Sequence, residues 1–77
     1  MKTVKIFFNS IDKVKPFVNT IGRFDGDFDL TSGRYVVDAK SIMGVFSLDL
    51  SKPINLNIYA DGDLDEILTA LAPYIVE

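Results

Sequence analysis

Side chains recur with a period of two along three stretches of this chain, residues 4–8, 24–30 and 54–59, and each stretch predicts a β-strand. A further strand is predicted at residues 34–38, which centre on the β-branched pair Val36 and Val37. Successive side chains of a strand point to opposite faces, so a period of two allows one face to be buried while the other meets water. The turn-forming sequence Thr31-Ser32-Gly33 joins the strand predicted at 24–30 to the one at 34–38 and predicts a hairpin.

Apolar residues recur at helical spacing between the first two strands, which predicts an amphipathic helix. Its stripe consists of Ile11, Val14, Val18 and Ile21. Asn9 and Ser10 are suitable N-cap residues, and Gly22 ends the helix. Pro16 fits only the first turn of a helix, so the helix begins as late as Lys15 or is distorted at that point.

Two further helices are predicted downstream. A short one, opened by Ser41, runs from Ile42 to about Ser47. The last is marked by the capping-box spacing of Asp63 and Glu66, and we expect Pro73 to end or kink it. Its apolar stripe consists of Leu64, Ile67, Leu68, Leu71 and Ile75.

The elements follow the order β-α-β-β-α-β-α, which predicts an α+β protein with helices packed on one face of a mostly antiparallel sheet. No linker, low-complexity tract or internal repeat interrupts residues 1–77, so we expect a single domain. Two architectures fit this order. One is the ferredoxin-like split βαβ, which includes small-ligand-binding regulatory domains, and the other adds a short helix after the third strand and a terminal helix.

Composition excludes several classes of chemistry. The 77 residues include no cysteine and no histidine, which removes disulfides, thiolate zinc sites, thiol nucleophiles and imidazole acids or bases. Eight basic residues, scattered along the chain, stand against eleven acidic ones, so nucleic acid and anionic membranes are not expected partners. The apolar run near the N-terminus is too short for a signal peptide or a membrane span, so we expect a cytoplasmic protein.

Aspartates at every second position, at 25–29 and again at 61–65, resemble the opening of a calcium-binding loop. Such a loop needs glycine at its sixth position and glutamate at its twelfth, where the first run has Leu30 and Val36. No glycine-rich phosphate-binding pattern occurs, and no serine has a histidine to activate it. We therefore predict no metal, no cofactor and no enzymatic activity.

One segment, Val37 to Leu48, carries a specific resemblance. Its Lys-Ser-Ile-Met-Gly run followed by apolar residues and Ser-Leu closely resembles the serine-site segment of the HPr family, the small phosphocarrier proteins of the bacterial sugar phosphotransferase system. Matched without gaps, the resemblance extends from Val18 to Ile58, and the closing helix fits with about one residue deleted. It implies an HPr-like open-faced β-sandwich, with a four-stranded antiparallel sheet of order 1-4-2-3 and three helices on one face.

The start of the first helix departs from that family. The resemblance implies a His-x-x-Pro stretch with an arginine at this place, in which the histidine accepts phosphate and passes it to a transporter component. Ungapped matching places Ser10 at the histidine and Asp12 at the arginine, whereas aligning Pro16 with the family's proline places Lys13 and Lys15 there. Neither register supplies an imidazole, so this degenerate phosphoacceptor site is not expected to relay phosphate.

The serine segment is intact. The resemblance implies that Ser41 is a regulatory site, which a serine kinase modifies and a catabolite repressor then reads. It also implies a partner-docking patch on one side of the second helix, with Val45 and Leu48 facing the core. The members of this patch are Ile42, Met43 and Phe46. A simple N-cap is the alternative role for Ser41, and Asp12 would weaken phosphate recognition by like-charge repulsion.

These observations predict an HPr-like protein that acts by regulatory protein binding and not by carrying phosphate. The expected partners are regulatory or phosphotransferase-system proteins and a serine kinase. An exposed apolar patch serves self-association as easily as docking, so a homodimer also fits. The alternative is the ferredoxin-like regulatory domain that binds a small ligand, which a strand order of 4-1-3-2 would distinguish.

Overall fold

The computed structural model of this protein describes residues 1–59, 62 and 64–76. The strands are β1 (Lys2–Ile6), β2 (Phe28–Ser32), β3 (Tyr35–Asp38) and β4 (Ile54–Ile58). The helices are α1 (Val14–Ile21), α2 (Ile42–Phe46) and α3 (Leu64–Leu71), and a 3-10 turn precedes α1. This order confirms the predicted succession of strands and helices.

The strands form one antiparallel sheet in the order β1-β4-β2-β3. Its central pair is β2 and β4, in which Leu30 lies directly opposite Leu56. This is the 1-4-2-3 order that the HPr resemblance implies, so the expected α+β fold is confirmed. The ferredoxin-like alternative required the order 4-1-3-2 and is wrong for this chain.

Alternate residues of the sheet point into a core beneath the helices. In β4, Ile54, Leu56 and Ile58 are at most 1% exposed while Asn55 is exposed, as the period of two predicts. Burying each such side chain stabilises the fold by about 1.5–3 kcal/mol. The buried apolar residues of the described chain are Ile6, Phe8, Val14, Phe17, Ile21, Phe28, Leu30, Ala39, Val45, Leu48, Ile54, Leu56, Ile58, Ile67 and Leu71.

Three aromatic rings pack together at this core. The ring centroids of Phe8 and Phe17 lie 5.0 Å apart, and those of Phe17 and Tyr74 lie 5.3 Å apart, both pairs edge to face. Such pairs add about 0.5–1.5 kcal/mol beyond the area they bury. Phe8 lies past the end of β1 at Ile6, so the predicted strand 4–8 is too long although the burial of Phe8 was expected.

The second strand begins later than the predicted stretch 24–30. It starts at Phe28, because Gly26 has a φ of 106°, a left-handed conformation that interrupts an extended backbone. Phe24 belongs instead to the turn after α1, where its N–H donates to the last carbonyl of that helix at 3.0 Å. A strand over 24–30 would place Asp25, Asp27 and Asp29 on one face, but only Asp29 lies on β2.

The first helix begins at Val14, and this start changes which residues it buries. Ile11 lies in the 3-10 turn and is 62% exposed, so its predicted place in the buried stripe is wrong. Phe17, which that stripe omits, is fully buried, since it falls on the same helical face as Val14 and Ile21. Pro16 is the third residue of α1, within the first turn, where backbone N–H groups have no partner in the helix.

The third helix ends at Leu71, ahead of Pro73, as predicted. Ile75, expected on its apolar stripe, instead forms an antiparallel bridge with Ile6. The predicted capping residue Asp63 lies outside the described residues. With eight residues each, α1 and α3 are the longest helices of the described ranges, and none there is long and apolar enough to cross a bilayer.

The sheet face opposite the helices carries a polar network. The Asn57 side-chain amide donates to Asp29 Oδ1 at 2.7 Å and to Thr31 Oγ1 at 2.9 Å, and Asn57 Oδ1 accepts from Thr3 Oγ1 at 2.8 Å. Asn57 therefore connects β4 to both of its neighbours. Close by, partial burial raises the pKa of Tyr59, and the negative charge of Asp29 and a hydrogen bond to it raise that pKa further.

Replacing Asp29 with asparagine should lower the pKa of Tyr59 part of the way towards its ordinary value of 10.0, because the charge is lost while the burial remains. NMR titration of the tyrosine ring carbons measures this residue by residue, with Asp25→Asn as the matched control. An unchanged Tyr59 titration in Asp29→Asn would contradict the expectation. Since the pKa is raised in the folded protein, the linked stability is present at lower pH and is lost as pH rises through that pKa.

Candidate functional site

Ser41 lies where β3 passes into α2, and it caps that helix. Its backbone is extended, and its Oγ accepts a hydrogen bond from the Gly44 N–H at 3.2 Å. The Ser41 N–H donates to the carbonyl of Asp38 at 3.0 Å, and the Ser41 carbonyl accepts from the Val45 N–H at 3.0 Å. The hydroxyl is thus held at the start of a helix, on a half-buried residue.

Gly44 leaves the space that this cap needs. A β-carbon at this position would lie 3.3 Å from Ser41 Oγ and 3.3 Å from the β-carbon of Val37 on β3. Both contacts are tighter than side chains usually adopt, so a larger residue would push α2 away from β3 or displace the serine. Close packing of α2 against Ser41 and β3 therefore explains the glycine within the Ser-Ile-Met-Gly run.

The helix that Ser41 opens presents an apolar surface to solvent. Met43 is 74% exposed and Phe46 is 38% exposed, whereas Val45 and Leu48 face the core as expected. Ile42, the third member of the predicted patch, is half-buried because it also packs against the core. The exposed part of the patch consequently consists mainly of Met43 and Phe46.

Lys40 precedes Ser41, and the contacts of its side chain were not predictable from the sequence. Its ammonium donates to the carbonyl of Phe24 at 2.8 Å and lies 5.4 Å from the centre of the Phe28 ring. Its backbone N–H donates to Asp38 Oδ1 at 2.9 Å. These contacts hold Lys40 in place, and they join residues that come together only in the folded chain.

Ser10 and Asp12 form the start of the 3-10 turn before α1. Ser10 Oγ accepts from the Asp12 N–H at 3.2 Å, and the Ser10 carbonyl accepts from the Lys13 N–H at the same distance. This turn leads directly into α1, which packs against α2, the helix that Ser41 caps. The turn offers a hydroxyl and a carboxylate where the family resemblance implies an imidazole and a guanidinium.

Comparisons with known proteins agree with the fold and with the segment around Ser41. The family model described as "PTS HPr component phosphorylation site" matches residues 13–77. The HPr-like protein Crh of Bacillus subtilis (strain 168) is 40% identical over 62 residues, which cover 79% of this chain and 73% of that protein.

Solved structures give the same result. The crystal structure of HPr-C-His from Thermoanaerobacter tengcongensis has a TM-score of 0.78 and 29% sequence identity with this chain. The match covers 95% of this chain and 89% of that one. The phosphocarrier protein HPr from Bacillus anthracis str. Ames is 30% identical, with a TM-score of 0.74, covering 96% of this chain and 93% of its own. Fold and helix arrangement therefore define an HPr-like α+β protein.

The chain belongs to the HPr family and is related to the HPr-like protein Crh. Proteins of this family are phosphocarriers and not catalysts, and they interact with phosphotransferase-system and regulatory proteins. The family match begins at Lys13, so Ser10 and Asp12 lie before the matched residues. Ser41 and the patch on α2 lie within them.

Proposed function

We propose that this chain is a single HPr-like domain that acts in the cytoplasm by regulatory protein binding, without relaying phosphate through a histidine. Its docking patch is Ile42, Met43 and Phe46, and a phosphate on Ser41 controls binding there. The observation that carries the proposal is the contrast between an intact serine segment and a chain that contains no histidine. The process it would serve is sugar phosphotransfer or carbon-catabolite control.

The geometry of Ser41 suits a phosphate switch. Its Oγ already accepts a hydrogen bond from the Gly44 N–H, and phosphate oxygens at this position would accept a hydrogen bond from the same donor. The added charge would stand beside Met43 and Phe46, which are exposed enough to contact a partner. One partner surface can therefore bind the phosphate and the apolar patch together. In such an interface the charge supplies specificity and the apolar contact supplies affinity.

Incubation with ATP and the serine kinase of the HPr family should add one phosphate to the wild type and none to Ser41→Ala, as intact mass spectrometry would measure. Ser47→Ala is the matched control, because Ser47 lies at the other end of α2, where its hydroxyl donates to the Gly44 carbonyl. The control should be labelled as the wild type is. No added phosphate on the wild type, or equal labelling of Ser41→Ala, would refute the phosphate switch.

Replacing Met43 with glutamate should weaken binding of the Ser41-phosphorylated protein to the family's catabolite repressor by about thirtyfold or more. The substitution puts a charge into the apolar patch, and losing one central contact of this kind costs about 2 kcal/mol or more. Calorimetric titration of the two proteins measures the change. Val76→Glu is the control, since Val76 is 53% exposed and lies outside α2. Equal affinities for Met43→Glu and the wild type would place the interface elsewhere.

A further inference from the structure

An open cavity of about 810 Å³ lies between the turn of the β2–β3 hairpin and the loop that joins α2 to β4. This volume is in the range of pockets that bind small molecules. Three of the chain's eight basic residues line the cavity: Lys5 of β1, Arg34 of the hairpin turn and Lys52 of the loop before β4. They are scattered along the sequence, and the fold brings them to one place.

The charge of this cavity is opposite to that of the whole chain. The chain has a formal net charge of −3. Among the described residues that line the cavity, Asp49 is the one carboxylate, and three cations stand against it. A concave surface lined mainly by one sign of charge raises the local concentration of ions of the other sign. The cavity therefore favours an anion, although the protein as a whole is acidic.

A tight turn fixes the backbone of Arg34 beside the cavity. Ser32 of β2 lies opposite Tyr35 of β3, so Gly33 and Arg34 form a two-residue hairpin turn between them. Gly33 has a φ of 59°, whereas Arg34 has no positive φ, which is the pattern of a type II′ turn. The guanidinium of Arg34 has the fork geometry that donates two parallel hydrogen bonds to one phosphate group.

Lys52 has a carboxylate partner in the cavity, but the pair is weak. Its ammonium lies 4.0 Å from Asp49 Oδ2, and the two side chains are 76% and 55% exposed. Ion pairs this exposed contribute little to stability. Hydrogen bonds from the Ser51 hydroxyl and N–H lower the pKa of Asp49, so this carboxylate stays charged without Lys52. A phosphate group with nearly two negative charges therefore competes with Asp49 for the lysine.

We propose that this cavity binds a small molecule through a phosphate group, with Arg34 and Lys52 as its cationic contacts. Hydroxyl and amide groups among the lining residues, on Ser32 and Asn55, supply further hydrogen-bond donors for phosphate oxygens. The other five basic residues do not line the cavity, so its positive charge suits a compact anion better than a long polyanion. Ser41, Ile42, Met43 and Phe46 do not line it either, so the site is independent of the proposed function.

NMR titration of the full chain with inorganic pyrophosphate, at constant ionic strength, tests this site. Amide signals of Gly33, Arg34 and Lys52 should shift and saturate as pyrophosphate is added. Arg34→Gln and Lys52→Gln should each raise the dissociation constant about fivefold or more, because each removes a charged hydrogen-bond donor. Lys15→Gln is the matched control, since it removes the same charge from an exposed residue of α1 outside the cavity. It should change the constant by less than about twofold.

Asp49→Asn tests the site in the opposite direction and does not depend on a loss that misfolding would also cause. Asparagine keeps an oxygen that accepts the Ser51 N–H, while the negative charge beside Lys52 is lost. The variant should therefore bind pyrophosphate about twofold or more tightly than the wild type. A second titration, with ADP, distinguishes an organic phosphate from free pyrophosphate. Tighter binding of ADP that Tyr35→Ala abolishes would assign an organic ligand, because the Tyr35 ring lines the cavity and is 71% exposed.

Three results would overturn the site. The first is the absence of saturable shifts at these amides up to about 10 mM pyrophosphate and ADP. The second is an equal loss of affinity in Arg34→Gln, Lys52→Gln and Lys15→Gln, which would mean that only the overall charge matters. The third is unchanged or weaker binding by Asp49→Asn. None of these results bears on phosphorylation of Ser41, which the kinase experiment tests separately.

Discussion

Phe17→Ala should lower the free energy of unfolding by about 3–5 kcal/mol, the range for truncating a fully buried phenylalanine. Phe17 is 0% exposed, and its ring packs edge to face against both Phe8 and Tyr74. Alanine leaves a cavity that these two rings cannot fill without moving. A chain of 77 residues has a total stability of roughly 4–12 kcal/mol, so the variant loses a large part of it.

Urea denaturation followed by circular dichroism measures this loss. Phe46→Ala is the matched control, because Phe46 is 38% exposed and its truncation should cost about 1 kcal/mol or less. If Phe17→Ala and Phe46→Ala lose similar amounts of stability, the packing of α1 described above is wrong. The comparison therefore tests whether α1 is oriented so that Phe17, and not Ile11, faces the core.

Incubation with the general phosphate-donor enzyme of the sugar phosphotransferase system should leave this chain without any acid-labile phosphate, a complete loss relative to a phosphocarrier HPr. Transfer needs a nucleophile that accepts the phosphoryl group and releases it again. The chain contains no histidine, so the Ser10 hydroxyl has no imidazole to activate it. The exposed carboxylate of Asp12, next to that hydroxyl in the turn, repels an incoming phosphoryl group.

The phosphocarrier protein HPr from Bacillus anthracis is a suitable positive control in the same reaction. Acid-labile label should appear on that protein and not on this one when both are separated by mass. Transfer of labile phosphate from the donor through this chain to a transporter component would overturn the proposed function.

The alternation of residues predicted the elements well where one face is apolar and the other polar. In β4 the buried residues Ile54, Leu56 and Ile58 alternate with the less buried Asn55 and Asn57. The segment around Ser41 was also predictable, because the serine cap follows from local spacing and the resemblance implied that Val45 and Leu48 face the core. Local rules apply there since each residue's partner lies within one helical turn.

The errors in prediction share a cause. Regular alternation around Phe24 concealed the left-handed backbone at Gly26, which delays β2. Apolar residues that lie past the end of an element, such as Ile75, still follow the period of that element by chance. Whether they join it depends on contacts with distant parts of the chain, and for Ile75 the contact is Ile6.

The amino-acid sequence by itself determined the element order, the absence of imidazole and thiol chemistry, and the segment that relates this chain to the HPr family. Only the tertiary structure decided the late start of β2, the burial of Phe17 and the anchoring of Lys40 on Phe24. The physical reason is distance along the chain. Periodicity and capping report interactions between near neighbours, whereas sheet edges and core contacts join residues whose separation in sequence carries no local signal.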